Sequence, residues 1–150
     1  MPHHPENPEV SIVIINLNQA DYTAQCLDSI REAPPQVPYE IILVDNGSTD
    51  GSGKWIAACY PEVNLLRSPH NIGYGPGNNL GIRASQGEYV LLLNNDTLVI
   101  PGTIDQCVDF LKAHPESGAV GGNLLNEDGS FQSGHMGHHT LCNVFLGISK

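Results

Sequence analysis

Basic residues are scarce in this 150-residue chain: six Lys and Arg stand against 16 Asp and Glu, a formal net charge of -10. A surface of that sign repels a phosphate backbone, which excludes a general nucleic-acid binder. It leaves room for one small phosphorylated ligand, above all one that arrives with a divalent cation. Charged residues of both signs make up only 15% of the sequence, so polar work falls to Asn, Ser, Thr and His. No basic segment followed by an apolar core opens the chain, so no secretory leader is expected. No apolar run approaches the ~18 residues that span a bilayer, so no transmembrane segment is expected. The expected location is therefore cytoplasmic. Cys26, Cys59, Cys107 and Cys142 form no CxxC pair. Three of them fall in apolar helical patterns, where a reduced, buried thiol is the usual state. No serine sits in a G-x-S-x-G elbow and no cysteine in a nucleophile motif, which leaves hydrolase chemistry little support.

What is present is a core-forming sequence, 40% hydrophobic and of a size that suits one domain. Residues 1–9, with three prolines and two histidines, read as a flexible lead-in. Residues 10–17 (VSIVIINL) and 39–45 (YEIILVD) are β-branched apolar runs of the kind found in strands buried on both faces. Residues 63–66 give a short third strand, and 88–94, within GEYVLLLNNDTLVIP, a fourth buried one. Between them lie helical patterns: one capped by Asp21 and stopped by Pro34 and Pro35, one capped by Asp50 or Ser52, and one opened by 71–81 (NIGYGPGNNLG). A fourth helix follows Pro101 and Thr103, with Ile104, Cys107, Val108 and Leu111 on one face. A fifth strand is expected over 118–125, a turn at NEDGS, and a short strand over 131–133. The alternation of strand and helix argues an α/β domain over 10–134 with a mainly parallel sheet flanked by helices. Residues 135–150 carry no clear pattern.

Polar clusters follow the strands: Asn16 to Asn18, Asp45 to Asp50, Asn71 to Asn79, and Asn94 to Asp96. Strand ends of a doubly wound sheet converge on one rim, so these residues are expected to line one cleft. Each cluster alone also reads as turn chemistry, since Asn and Asp cap strands and start turns. GSGK at 51–54 fails as a phosphate loop, because Gly47 is one residue too distant and Trp55 replaces the Ser or Thr that holds magnesium. GYGPG at 73–77 resembles a dinucleotide fingerprint, but Asn94 stands where an acidic residue is required, and this remains the alternative for a bound nucleotide. Asp45 is placed to accept from a base N–H or a ribose hydroxyl, or else to cap its own DNGS turn. Asp96 is suited to a hard divalent cation. His135, His138 and His139 lack the Glu that zincins place after the first His, and read as a solvated loop.

Taken together, VSIVIINLN, EIILVDNGSTDGS, NIGYGPGNNLGI, GEYVLLLNNDT and GNLLNEDGSFQSG resemble the family 2 glycosyltransferases, nucleotide-sugar-dependent enzymes of the Rossmann-like GT-A fold. The third and fourth segments look most like the rhamnosyltransferase-like branch. The resemblance implies that Asn16 and Asn18 line the nucleotide pocket and that Asp45 contacts the base with Asn46 and Ser48 nearby. It places Asn71, Gly73 and Asn78 along the nucleoside or diphosphate. Asn94, Asn95 and Asp96 occupy the family's DxD position, where only Asp96 keeps a carboxylate for Mg2+ or Mn2+.

The implied donor is a UDP- or dTDP-type sugar and the implied acceptor a saccharide or lipid-linked hydroxyl, in cell-surface polysaccharide or glycoconjugate synthesis, with peripheral contact at a membrane compatible with that acceptor. Transfer needs charge neutralisation on the departing diphosphate and a base for the acceptor hydroxyl. Relatives carry that base in an acidic motif downstream of DxD, and no residue here matches it. The expectation is thus the donor-binding part of the enzyme, truncated at the C-terminus. A non-catalytic nucleotide-binding or assembly module is the alternative. Apolar residues around Leu141 to Ile148 suggest a homodimer that covers them.

Overall fold

Apolar runs rich in β-branched residues become the two central strands. In the computed structural model, which describes residues 7–126 and 128–132, these are β1 (Val10–Asn16) and β2 (Tyr39–Asp45). Ile12, Val13, Ile14, Ile42, Leu43 and Val44 are fully buried, each such side chain contributing about 1.5–3 kcal/mol through removal from water. They pair in parallel from Val10 with Tyr39 through Asn16 with Asp45. β3 (Val63–Arg67) joins β2, setting Arg67 beside Asp45. β4 (Tyr89–Leu93) joins the other side of β1. The sheet order is β3-β2-β1-β4, all parallel.

Parallel neighbours require crossover helices. α1 (Ala20–Glu32) links β1 to β2, α2 (Ser52–Cys59) links β2 to β3, and α3 (Tyr74–Ala84) links β3 to β4. Right-handed crossovers put α1 and α2 on one face; the reversal of strand order at β1 sends α3 to the other. There Val13, Ile42 and Val44 form the core with Ile15, Leu66, Leu80, Ala84 and Leu92 packed against them. α3 lies close because its contact residue is glycine: a β-carbon on Gly81 would sit 2.3 Å from Val13 Cγ1. At the opposite end of the strands, buried Ser11 donates to Glu40 Oε1 at 2.6 Å. The Gln86 and Gly87 N–H groups donate to Glu40 Oε1 and Ser11 Oγ, both at 2.8 Å, which pins the turn leading into β4.

The chain forms two compact units, Met1–Gly102 and Thr103–Lys150. The first holds the sheet and α1 to α3. In the second, α4 (Thr103–Ala113) buries Ile104 and Val108, half of the expected apolar face.

Several expectations change. β4 has one strand neighbour among the described residues, so it is an edge with Val90 40% exposed, and not a strand buried on both faces. No strand forms over 118–125; an isolated antiparallel bridge joins Leu125 and Phe131 around the NEDGS turn, since the glycines of GAVGG weaken a strand. Asp21 lies in the first turn of α1, whose cap is Gln19. Gly51, in the left-handed region at φ 83°, caps α2. His135, His138, His139 and residues 141–148 lie outside the described residues.

Candidate active site

The strand-end residues separate into a frame and a wall. Asn16, fully buried at the end of β1, is the centre of the frame. Its Nδ2 donates to Ser48 Oγ at 3.0 Å and Ser52 Oγ at 2.8 Å. Its Oδ1 accepts from Thr23 Oγ1 at 3.1 Å and the Gln19 N–H at 3.3 Å. One side chain thus ties β1 to the start of α1 and to the loop after β2. Asn18 holds a positive φ of 54°, a conformation Asn tolerates better than most residues. Its Oδ1 accepts from the Thr49 N–H at 2.8 Å.

Asp45 belongs to the same frame. It is 1% exposed; its Oδ1 accepts from the Ser48 N–H at 3.0 Å and its Oδ2 from Arg67 Nε at 3.1 Å. The carboxylate therefore closes its own turn and binds the end of β3. GSGK finds its purpose here: a β-carbon on Gly53 would come 2.1 Å from Asp45 Oδ2, so α2 packs on this carboxylate only with glycine at that position.

The wall surrounds a cleft of about 260 Å3 lined by Ile15, Leu17, Gln19, Asn46, Asn71, Tyr74, Asn94 and Asn95. It lies beyond the carboxyl ends of β1 and β4, at the point where the strand order reverses, where open α/β sheets bind ligands. Asn46 clamps one side. It accepts from the Ile72 N–H at 3.1 Å and donates to Asn71 Oδ1 at 3.1 Å and the Gly73 carbonyl at 3.3 Å. Gly73, at φ 91° and ψ 162°, then turns the chain into α3, in a region open to glycine alone. Buried Asn78 donates to the Tyr74 carbonyl at 3.1 Å. Across the cleft, Asn95 donates to Gln19 Oε1 and Thr23 Oγ1, both at 3.0 Å, while the Tyr74 hydroxyl donates to Asn94 Oδ1 at 2.6 Å.

Of the residues singled out in the sequence, Asn46, Asn71, Asn94 and Asn95 meet on the wall. Asn16, Asn18, Asp45 and Ser48 build the frame, and Gly73 and Asn78 shape the start of α3. Asp96 is exposed just beyond the wall. Sequence reasoning passed over Gln19 and Tyr74. The available signal for Tyr74 was its position as the sole residue other than Gly and Pro in GYGPG.

The wall is neutral: amides, aliphatic groups and one phenol. Below it, burial first and the charge of Asp96 second push the Cys26 thiol up to about 12. Cys26 thus stays protonated near neutrality and acts as packing, its Sγ 3.7 Å from the Asn94 carbonyl. Among the described residues no group of three His, Cys, Asp or Glu could hold a metal by itself. Asp96 offers one carboxylate, which fits a cation completed by ligand phosphates and water.

The family model described as glycosyl transferase family 2 matches residues 11–148. The chain belongs to glycosyl transferase family 2. It is 32% identical over 130 residues to an N-acetylglucosaminyl-diphospho-decaprenol L-rhamnosyltransferase of Mycobacterium tuberculosis, a match covering 79% of this chain and 42% of that protein. It is 32% identical over 124 residues to glycosyltransferase GlyG of Streptococcus pneumoniae, covering 81% and 40%. The chain therefore spans about two fifths of these relatives. Among solved structures it is similar to the mannosyltransferase PcManGT from Pyrobaculum calidifontis in complex with GDP-Man and Mn2+, at 26% identity and a TM-score of 0.62, covering 74% and 34%. Staphylococcus aureus TarS 1-349 in complex with UDP-GlcNAc, at 23% identity and a TM-score of 0.64 over 71% of this chain and 32% of that one, shares the fold. The parallel sheet and its helices are thus a GT-A, Rossmann-like core. Among the described residues no helix is long and apolar enough to cross a membrane.

Proposed function

We propose that this chain is the sugar-nucleotide-binding part of a glycosyltransferase that moves a sugar from a nucleoside diphosphate to an acceptor hydroxyl. The observation that supports this most is the cleft at the strand-order reversal, walled by four asparagines that three separate motifs supply. Asn71 and Asn94 have their amide oxygens engaged by protein donors, which turns their N–H groups to a nucleotide's hydroxyl, carbonyl or phosphoryl oxygens. The name of the Mycobacterium tuberculosis relative supports a rhamnosyl donor and a lipid-linked acceptor. The proposal extends to a hexosyl donor, to a UDP- or dTDP-type nucleotide and to a saccharide acceptor, in cell-surface polysaccharide or glycoconjugate synthesis. A membrane-peripheral location would follow from a lipid-linked acceptor.

In this reading Asp96 would hold Mg2+ or Mn2+ together with the diphosphate. The metal would supply the charge neutralisation that the departing diphosphate requires. The wall holds and orients the nucleotide, and the frame keeps the wall in place. Asp45 acts from beneath, fixing the loop after β2 through Ser48 and Arg67. No carboxylate or imidazole lines the cleft, so deprotonation of the acceptor falls to a group outside it. That same observation favours the second reading, a nucleotide-sugar-binding or assembly module without transfer activity. Association of two copies over residues 141–148 belongs to that reading.

Titration calorimetry with UDP, dTDP and GDP, each with Mn2+, tests the binding proposal; absence of heat with all three would overturn it. Transfer from a panel of nucleotide sugars to lipid-linked or saccharide acceptors separates enzyme from module. A concentration-independent monomer in sedimentation would exclude the dimer.

A further inference from the structure

The Tyr74–Asn94 hydrogen bond engages the oxygen side of an amide at the cleft. Both side chains line the cleft, and Asn94 Oδ1 is occupied by the Tyr74 hydroxyl at 2.6 Å. Nδ2 is therefore left as a two-proton donor, and among the described residues it has no protein partner. An amide held in this orientation can donate to a ligand oxygen, whereas a carboxylate at the same position could only accept.

The tyrosine itself is held before any ligand arrives. Its carbonyl accepts from Asn78 Nδ2 at 3.1 Å. The residues before it are clamped by Asn46, which is 3% exposed and bonded to Ile72, Asn71 and Gly73. A chain of contacts thus runs from the end of β2, through the start of α3, to the end of β4. Preorganisation of this kind lowers the ordering cost of binding.

We propose that Tyr74 is a positioning residue which turns the Asn94 Nδ2 amide into the cleft to donate to an acceptor oxygen of the bound nucleotide. This rests on the nucleotide-binding reading. The acceptor is a diphosphate oxygen or a sugar hydroxyl, chemically alike toward an amide donor.

The test is a double-mutant cycle in nucleotide affinity. It uses the tightest binder among UDP, dTDP and GDP, with the variants Tyr74→Phe, Asn94→Asp and the pair. Tyr74→Phe is expected to weaken binding about 2- to 10-fold, the range set by one neutral hydrogen bond. In the Asn94→Asp background it should change affinity little, because neither carboxylate oxygen donates whichever way the group lies. Equal losses in both backgrounds would mean that Tyr74 merely supports the fold, and would overturn the proposal.

Side-chain amide NMR separates this from failure of the underlying reading. The Asn94 cross-peaks, identified by their loss in Asn94→Asp, should move on nucleotide addition. Movement of the Asn46, Asn71 or Asn95 amides without Asn94 would overturn the proposal while leaving the nucleotide site intact. No movement of any of them would overturn both. Repeating the titration with the nucleoside lacking phosphates assigns the acceptor: loss of the Asn94 shift supports donation to the diphosphate, and its persistence supports donation to the sugar.

Discussion

The α-carbon of Gly53 lies against the carboxylate of Asp45, so near that a β-carbon there would stand 2.1 Å from Oδ2 and 2.4 Å from Cγ. Asp45 moves aside only by giving up a contact, since Ser48 and Arg67 engage its two oxygens at a buried position. Gly53→Ala should therefore push α2 outward or break the pair with Arg67. A loss of about 1–3 kcal/mol is expected, the usual cost of overpacking, read as a lower urea midpoint at unchanged slope.

Gly81→Ala tests the other face of the sheet. The added methyl would meet Val13 Cγ1 at 2.3 Å in the centre of the core. Destabilisation of about 1–3 kcal/mol is expected. The double variant Gly81→Ala with Val13→Ala should recover part of the overpacking, leaving a smaller loss than the two single changes summed. Thermal unfolding of the four proteins measures this.

Cys26 gives a pH signature. Its thiol has an ordinary value of 9.0 and is raised to about 12 in the folded chain, by burial first and Asp96 second. A raised folded value means that its contribution to stability is complete below pH 9 and is lost as pH rises towards about 12. The unfolding free energy from denaturant melts should fall across that window, at most by about 1.4 kcal/mol for each pH unit between the two values. Iodoacetamide at pH 8 should modify exposed Cys59 well before buried Cys26, which should react only on unfolding. Early labelling of Cys26 would contradict the packing.

Asp96→Ala should abolish the gain in nucleotide affinity that Mn2+ confers while leaving metal-free affinity unchanged or slightly higher, since it removes one negative charge near the phosphates. Calorimetry with and without chelator measures both. Equal metal enhancement in the variant would remove Asp96 from the site.

The central strands were legible because each carries four consecutive apolar residues, IVII at 12–15 and IILV at 41–44, a pattern that suits burial on both faces. The position of YVLLL was not. Its composition states that it is a strand, but whether its outer side is covered depends on chain elsewhere, and Val90 is exposed. The site was legible as clusters and not as roles. Asn16 and Asn46 look alike in sequence, yet one ends in a cage of hydroxyls supplied by Ser48 and Ser52, and the other faces the cleft. That difference is set by partners 32 and 36 residues away for Asn16 and 25 to 27 away for Asn46, a separation that no local pattern records. Asp45 drew attention as the carboxylate at a strand end, but its contacts with Ser48 and with Arg67 on β3 are not visible in its own segment.

A wall of amides has one more property: it does not change charge near neutrality. Ligand affinity measured from pH 6 to 8 should therefore follow the second ionisation of a terminal phosphate, near pH 6, and whatever titrates outside the cleft. The asparagines surrounding the ligand contribute a constant background, so a steep pH profile would locate its source in the ligand, in its counter-ion or in a group beyond the cleft.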